Sequence, residues 1–163
     1  MVKIKKEFII VLAVFVLGAF LRFYNLSNNP PGLYVDEASI GYNALSILET
    51  GRGEYGKAFP VYFRSFGDYK MPLYIYLSVI PIKLFGLNPF SIRFCSAFFG
   101  SLSIILIYFL VKKLFSQKSS FLPLSIVSSV IFAISPWSIF NSRAAFEVET
   151  ALFFCYWQFF FKQ

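Results

Sequence analysis

Long apolar runs separated by short charged segments make up most of the sequence. The first run covers residues 8–24 and follows three lysines, Lys3, Lys5 and Lys6. Its 17 residues rise about 25 Å as an α-helix, enough to cross a bilayer core if Arg22 near its end reaches outward to the interface. Because no small-residue cleavage site follows, the run predicts an uncleaved transmembrane helix whose lysine-rich end lies in the cytoplasm.

Further apolar runs predict more spans, at about 93–112, 119–140 and, incompletely, 150–163. The first two are long enough to cross a bilayer, whereas the last stops after too few uncharged residues. We therefore expect the chain to be the N-terminal part of a larger protein. We also expect it to be inactive alone, because four helices cannot enclose a cavity. The fold class indicated is all-α, a polytopic transmembrane helical protein with juxtamembrane helices in its first outer loop.

The polar region at 25–92, between the first two spans, carries the candidate chemistry. Two prolines and a glycine prevent a helix at its start, and periodic apolar positions then predict a helix over about 37–49, lying close to the bilayer surface. Asp36 and Glu37 stand at the mouth of this helix. An aspartate at that position is either a cap that accepts backbone N–H bonds or a catalytic base at the membrane surface.

A second apolar segment of the same region, residues 71–86, is short for a span and contains Pro81. It either spans the membrane or lies in the interface. The lysine-rich link at 112–118 favours the second alternative, because lysines prefer the cytoplasmic side and that placement requires 71–86 to stay outside. We therefore expect an interfacial helix at 71–86, which puts Glu147 on the same side as Asp36.

Composition agrees with a membrane protein and removes several functions. Charged residues make up 14% of the sequence, against about 25% in soluble domains. The basic residues flank apolar runs instead of clustering, so the net charge of +7 does not indicate a nucleic-acid partner. Histidine is absent, which excludes Ser-His and Cys-His catalysis. No ionisable residue lies in the middle of a predicted span, which weighs against ion-coupled transport.

The polar residues expected outside suit one reaction. Transfer of a sugar from a lipid phosphate needs a base for the acceptor's proton and cations for the leaving phosphate. Asp36 would be the base, and Lys70 lies just before the interfacial segment, where a lipid phosphate would rest. Lys70 is equally well read as an interface anchor, and Arg93 more simply as a helix-end anchor. Arg143 and Glu147, four apart, suit a simple helical ion pair.

Three stretches resemble the GT-C superfamily of membrane glycosyltransferases, in particular its protein O-mannosyltransferase and aminoarabinose transferase branch. The first stretch, PPGLYVDEASIGYNALSILETG, resembles the first outer loop of that branch. The second, KMPLYIYLSVIPIKLFGLNPFSIRFCSAFFGSL, resembles its juxtamembrane helix and second span, with Met71 in place of the first proline of the usual Lys-Pro-Pro. The third, ISPWSIFNSRAAFEVE, resembles the second outer loop.

The resemblance implies two groups of site residues within a transmembrane catalytic domain whose N-terminal part covers 1–163. The catalytic acids are Asp36, Glu37 and Glu147, with Asp36 as the base. The cations that it implies for the donor phosphate are Lys70 and Arg93, and the charges expected on the outer side add Arg143 as a third candidate. Several members of the branch act without a metal and some wider relatives bind Mg²⁺ or Mn²⁺, so the cofactor stays open.

The reaction implied is inverting transfer from a polyprenyl-phosphate sugar to a hydroxyl or amine of a lipid, glycan or protein acceptor. The expected location is the plasma membrane, crossed several times, with the N-terminus in the cytoplasm and the first loop outside. Besides the donor and acceptor, membrane lipids are the expected partners. Two alternatives remain, a non-enzymatic transporter or flippase of lipid-linked sugars and a membrane scaffold.

Overall fold

The computed structural model describes residues 2–115 and 122–162, which form seven helices and a two-stranded antiparallel sheet. In chain order the elements are α1 (Val2–Phe23), α2 (Val35–Thr50), β1 (Phe63–Ser65), β2 (Asp68–Lys70), α3 (Pro72–Phe85), α4 (Pro89–Leu114), α5 (Leu122–Ile134), α6 (Pro136–Arg143) and α7 (Glu147–Lys162). The prediction of a mainly helical chain is confirmed. Residues 119–121 and 163 of the predicted spans lie outside the described residues.

The central helix is α4, against which α1, α3, α5, α6 and α7 all pack. It begins with a capping box, in which the Ser91 N–H donates to Asn88 Oδ1 at 3.0 Å and the Asn88 N–H donates to Ser91 Oγ at 3.1 Å. Further along, Gly100 allows α6 to approach closely, because a Cβ there would collide with Ser142 Oγ. The other elements therefore take their positions from one well-capped helix.

Within the described residues, α4 is the one helix that is long and apolar enough by itself to cross a bilayer. The α5–α6 pair qualifies as a second span only if it is counted as one bent element. The bend between Leu124–Ile134 and Pro136–Arg143 is 53°, because Pro136 breaks the hydrogen-bond ladder. The single helix predicted over 119–140 is thus divided in two. At 14 residues α3 is about 21 Å long, short of a bilayer core of about 30 Å.

The part of the polar region that was predicted as a loop contains a β-hairpin, which an all-α prediction misses. The registered pairs are Phe63–Lys70, Arg64–Tyr69 and Ser65–Asp68. Phe66 and Gly67 connect the strands, with φ values of 45° and 89°. Positive φ at both residues of a two-residue turn matches the twist of the flanking strands. Strands of three residues are too short to leave a periodic pattern in the sequence.

Apolar side chains of α2 and α3 form a small core that attaches the polar region to the start of α4. Ile40 and Ala44 of α2 meet Ile75 of α3 in this core, and each of the three is at most 1% exposed. Next to them, Gly41 lies against Ile92 of α4, where a larger residue would displace that side chain. The first turn of α2 is therefore fixed relative to α4.

Arg22, near the end of α1, is fully buried, so the prediction that it reaches outward to the interface is wrong. Its guanidinium donates to the carbonyl oxygens of Ala133 at 3.1 Å and Phe132 at 3.3 Å, in the last turn of α5. It also donates to Ser138 Oγ at 2.8 Å and Ser142 Oγ at 3.1 Å in α6. The break between α5 and α6 leaves helix-end carbonyls without intrahelical donors, and Arg22 supplies those donors.

Candidate active site

Glu37 and Arg93 form a buried bidentate ion pair beneath the first turn of α2. Arg93 Nε lies 2.8 Å from Glu37 Oε1, and Arg93 Nη2 lies 2.9 Å from Glu37 Oε2. Both side chains are fully buried. The backbone N–H groups of Tyr34 and Ala145 donate to the same carboxylate at 3.0 and 2.9 Å. Four donors therefore hold this carboxylate, and the bond from Ala145 joins the polar region to the α6–α7 connection.

The remaining N–H groups of Arg93 bind the segment that leads into α2. They donate to the carbonyl oxygens of Leu26 at 3.0 Å, of Pro30 at 2.9 Å and of Gly32. A guanidinium has five N–H donors, and all five are thereby used. For Arg93 to bind a donor phosphate, as predicted, part of this network would have to open. As it stands, Arg93 fixes the connection between α1 and α2.

Burial alone raises the pKa of Glu37. Hydrogen bonds from Arg93, Tyr34 and Ala145, together with the charge of Arg93, outweigh burial and hold the pKa below its ordinary value of 4.5. A carboxylate held ionised by four donors has no lone pair directed at solvent. Glu37 is thus suited to anchoring the first turn of α2, and less suited to exchanging protons with a substrate.

We expect this carboxylate to make the fold sensitive to acid. Because the pKa of Glu37 is lower in the folded than in the unfolded protein, its contribution to stability is fully present above about pH 4.5. The contribution is lost as the pH falls through the folded-state pKa. The measurement is the thermal unfolding midpoint between about pH 3 and pH 7. In Glu37→Gln the unfolding midpoint should fall less steeply as the pH is lowered. An equally steep fall in that variant would contradict the role given to the Glu37 carboxylate.

Asp36 and Lys70, the predicted base and phosphate ligand, form an ion pair at the surface. Lys70 Nζ lies 3.0 Å from Asp36 Oδ1, with the Asp36 side chain 49% exposed and that of Lys70 13% exposed. The structure therefore brings these two predicted residues together. The capping bond at the start of α2 is made by Glu37, which accepts the N–H of Tyr34, the N-cap residue, at 3.0 Å. Asp36 stays open to a reactant at the mouth of α2.

Glu147, the predicted second acid, is the first residue of α7 and contacts the same part of the molecule. Its Oε1 accepts a hydrogen bond from the backbone N–H of Met71 at 3.0 Å. Met71 directly follows Lys70, so this bond ties the Lys70 backbone to the start of α7. The polar segments around Asp36 and around Glu147, which were expected on the same side of the membrane, are in contact.

Arg143 does not pair with Glu147 along one helix, as the simpler alternative required, because α6 ends at Arg143 and α7 begins at Glu147. Its guanidinium instead donates to the carbonyl oxygens of Leu21 at 2.8 Å, Tyr24 at 2.7 Å and Asn29 at 2.9 Å. The first two lie at the C-terminal end of α1, where carbonyls lack helical partners. The structure therefore places Arg143 as a buried cap for α1.

An apolar cleft of about 520 Å³ opens beside that pair, between the first turns of α3 and α7. Its walls are formed by Met71, Pro72, Leu73, Tyr74, Glu147, Val148, Thr150 and Ala151. The Thr150 hydroxyl is buried and has no hydrogen-bond partner among the described residues. Met71 in its wall directly follows Lys70 in the sequence, so this cleft begins next to that lysine. We call it the α3–α7 cleft.

Glu149 is a buried acid that the sequence analysis did not select. It is 1% exposed, and its Oε2 has no hydrogen-bond partner within the described parts of the chain. An acid in the first turn of a helix ordinarily complements the helix dipole at the surface, so its position in the sequence carries no signal of burial. Glu149 is buried because α7 packs against α4 and α6, and this packing cannot be read from the sequence.

The predicted acids do not form a metal-binding cluster within the described residues. Among residues 2–115 and 122–162 no group of three or more His, Cys, Asp or Glu side chains could hold a metal ion. Of the predicted acids, Glu37 has both oxygens bound by protein donors and Asp36 is paired with Lys70. Mg²⁺ and Mn²⁺ bind oxygen ligands such as carboxylates. We therefore assign no step to a metal.

Comparison with known proteins gives two matches. The family model described as dolichyl-phosphate-mannose-protein mannosyltransferase matches residues 69–162, which is more than half of the chain. An uncharacterized protein of Aquifex aeolicus (strain VF5) is 28% identical over 140 residues, covering 86% of this chain and 26% of the relative. The chain thus spans about a quarter of that relative's length. No solved structure matches. The family match includes Lys70 and Glu147 and begins after Asp36.

Proposed function

The chain belongs to the dolichyl-phosphate-mannose-protein mannosyltransferase family, and from this premise we propose that the whole protein is a membrane glycosyltransferase. It moves a sugar from a polyprenyl-phosphate donor to a hydroxyl or amine acceptor at the outer face of the plasma membrane, which it crosses several times. The observation that carries this proposal is the Asp36–Lys70 ion pair beside the α3–α7 cleft. It combines a base, a cation and an apolar surface for the lipid.

In the proposed reaction Asp36 is the general base. As the acceptor oxygen or nitrogen attacks C1 of the sugar, its proton passes to the Asp36 carboxylate. The bond from C1 to the phosphate oxygen breaks while the new bond to C1 forms on the opposite face, which inverts the configuration. The lipid phosphate leaves with additional negative charge, which Lys70 stabilises. Atoms and charge balance without any further reactant.

Lys70 can serve the base and the phosphate together. An ammonium group has three N–H donors, so Lys70 can keep its bond to Asp36 while it binds a phosphate oxygen. The lipid chain beyond that phosphate would extend into the α3–α7 cleft. The wall of this cleft includes Met71, the residue that follows Lys70. Glu147 holds the backbone at this point through its bond with the Met71 N–H. We assign Glu147 a positioning role rather than contact with the reacting atoms.

The two predicted arginines and Glu37 have positioning roles in this proposal. Arg93 and Glu37 fix the first turn of α2, which carries Asp36, against α4. Arg143 fixes the end of α1, from which the connection to α2 departs. Substrate contact falls instead to the two more exposed groups, Asp36 and Lys70.

The proposal is tested with the full-length protein in membranes, using a labelled sugar on a polyprenyl phosphate and a soluble acceptor. Lys70→Gln keeps a polar side chain but removes the charge, and we expect kcat to fall by about 10²- to 10³-fold. The matched control is Lys83→Gln, because Lys83 is an exposed lysine at the far end of α3. Undiminished transfer by Lys70→Gln would contradict the role of Lys70. Movement of the lipid-linked sugar across the membrane without any transfer would support the flippase alternative.

A further inference from the structure

A second cleft, of about 260 Å³, lies between the C-terminal half of α2, the following loop and the β-hairpin. Three tyrosines line it, Tyr55, Tyr62 and Tyr69, and each is at least 50% exposed. The rings of Tyr62 and Tyr69 meet edge to face with centroids 5.5 Å apart, so each fixes the other. Tyr69 lines this cleft, whereas the next residue, Lys70, forms the ion pair with Asp36.

Polar groups surround these rings. Asn43, which is 1% exposed, forms part of the wall, and its Oδ1 accepts a bond from the Glu54 N–H at 3.0 Å. Its Nδ2 lies 3.4 Å from Glu54 Oε2. Two cations complete the lining, with Lys57 Nζ 4.5 Å from the centre of the Tyr62 ring and Arg64 Cζ 5.6 Å from that of Tyr55. We call this the tyrosine cleft.

Aromatic faces ringed by amide, carboxylate and cationic groups match the chemistry of a sugar. The face of an aromatic ring is partly negative, so it attracts the polarised C–H groups on one side of a pyranose ring. The hydroxyl groups at the edge of the sugar are donors and acceptors at once, which the mixed polar lining can satisfy. A lipid chain would find too many polar groups here, in contrast to the mainly apolar α3–α7 cleft.

The tyrosine cleft lies on the same side of α2 as the proposed base. Asp36, Ser39 and Asn43 follow one another at spacings of three and four, which places them on one helix face. Seven residues of helix separate Asp36 from Asn43 by about 10 Å. A shallow depression lined by Ala38, Ser39, Tyr42, Glu54 and Phe66 shares Glu54 with the tyrosine cleft and bridges this interval.

We propose that the tyrosine cleft binds a saccharide unit of the acceptor. This inference rests on the proposed glycosyltransferase function and narrows the acceptor to a glycan. The attacking hydroxyl lies at Asp36, and a sugar residue further along the same acceptor stacks on Tyr62. Because Asn43, in the wall of the cleft, lies about 10 Å along α2 from Asp36, the proposed acceptor contains at least two linked sugars.

The first experiment measures binding without transfer. Full-length protein carrying Asp36→Asn, in nanodiscs, is mixed with a fixed panel of soluble disaccharides built from hexoses, N-acetylhexosamines and hexuronic acids. Saturation-transfer NMR then reports which ring protons contact the protein. We expect signal from the C–H face of at least one disaccharide. We expect it to be lost when Tyr62→Ala is added and retained with Tyr62→Phe, which keeps the ring.

The control is Val61→Ala, because Val61 is the neighbouring residue, is 73% exposed and does not line the cleft. It should leave the signal unchanged. Absence of signal from the whole panel, or a signal that survives Tyr62→Ala, would overturn the inference. Broadening of the Tyr62 resonances by spin-labelled lipid headgroups would also overturn it, because the cleft would then be occupied by the membrane interface.

The second experiment separates this inference from the proposed function. In the protein with Asp36 intact, Tyr62→Ala should raise KM for the glycan acceptor about tenfold while kcat and KM for the donor stay unchanged. If transfer is found but Tyr62→Ala does not change the acceptor KM, the proposed glycosyltransferase function is supported and the saccharide site in the tyrosine cleft is refuted. If saccharide binding is found but transfer is not, the tyrosine cleft is supported as a sugar site and the proposed reaction is refuted.

Discussion

Replacing Arg93 by methionine (Arg93→Met) is expected to destabilise the protein by about 3–5 kcal/mol. The substitution keeps an apolar stem of similar length but leaves the Glu37 carboxylate fully buried with only the Tyr34 and Ala145 N–H groups as donors. It also removes the donors that bind the backbone oxygens of Leu26, Pro30 and Gly32. An uncompensated charge and three lost backbone bonds act in the same direction, so a large effect is expected.

The measurement is the free energy of unfolding in denaturant of the full-length protein in detergent micelles. The matched control is Arg52→Met, because the Arg52 side chain is exposed, and its effect should stay within about 0.5 kcal/mol. The double variant Glu37→Gln with Arg93→Met should lose less than the sum of the single losses, because its carboxamide is neutral. Equal stability of Arg93→Met and Arg52→Met would refute the structural role given to the pair.

This result would also show what the sequence pattern leaves out at Arg93. An arginine at the start of an apolar run and an acid in a polar loop, 56 residues apart, are each ordinary in isolation. Only the packing of α2 against α3 and α4 puts the two side chains at one buried point. A pattern that reports hydrophobic periodicity carries no information on which distant charge compensates another. The role of the pair therefore could not be derived from the sequence alone.

Arg22 illustrates the same limit for a charge at a helix end. Such arginines usually extend to the membrane interface, so the outward orientation followed from a general tendency. The Arg22 side chain points inward because the helix breaks at Pro136. The break leaves the carbonyls of Phe132 and Ala133 without helical donors. Pro136 is visible in the sequence, but the direction in which the broken helix turns is not.

The helices were predictable because they rest on long local patterns. The helices predicted over 37–49 and 71–86 are observed as Val35–Thr50 and Pro72–Phe85. Asp36 and Lys70 were selected for two roles in one proposed reaction, and in the structure they form an ion pair. The hairpin that carries Lys70 was missed, because its strands are too short for a periodic signal.

Replacing Asp36 by asparagine (Asp36→Asn) is expected to lower kcat for sugar transfer by about 10²- to 10⁴-fold, the usual contribution of a positioned general base. The effect on folding should be small, because the Asp36 side chain is half exposed and a surface ion pair contributes about 0–1 kcal/mol. The carboxamide has nearly the same shape but cannot accept the acceptor's proton. Asp36→Asn should therefore lose activity without losing stability. A substitution of the buried Glu37 should lose both.

One control and one comparison are needed to distinguish a base at Asp36 from a negative charge that merely orients Lys70. Glu49→Gln removes an exposed acid from the other end of α2 and should leave kcat unchanged. Acceptors with a more acidic attacking group need less help from a base, so the deficit of Asp36→Asn should shrink along a series of acceptors of falling pKa. A deficit that is constant along the series would identify Asp36 as a positioning residue. Transfer by Asp36→Asn at the unmodified rate would remove it from the reaction altogether.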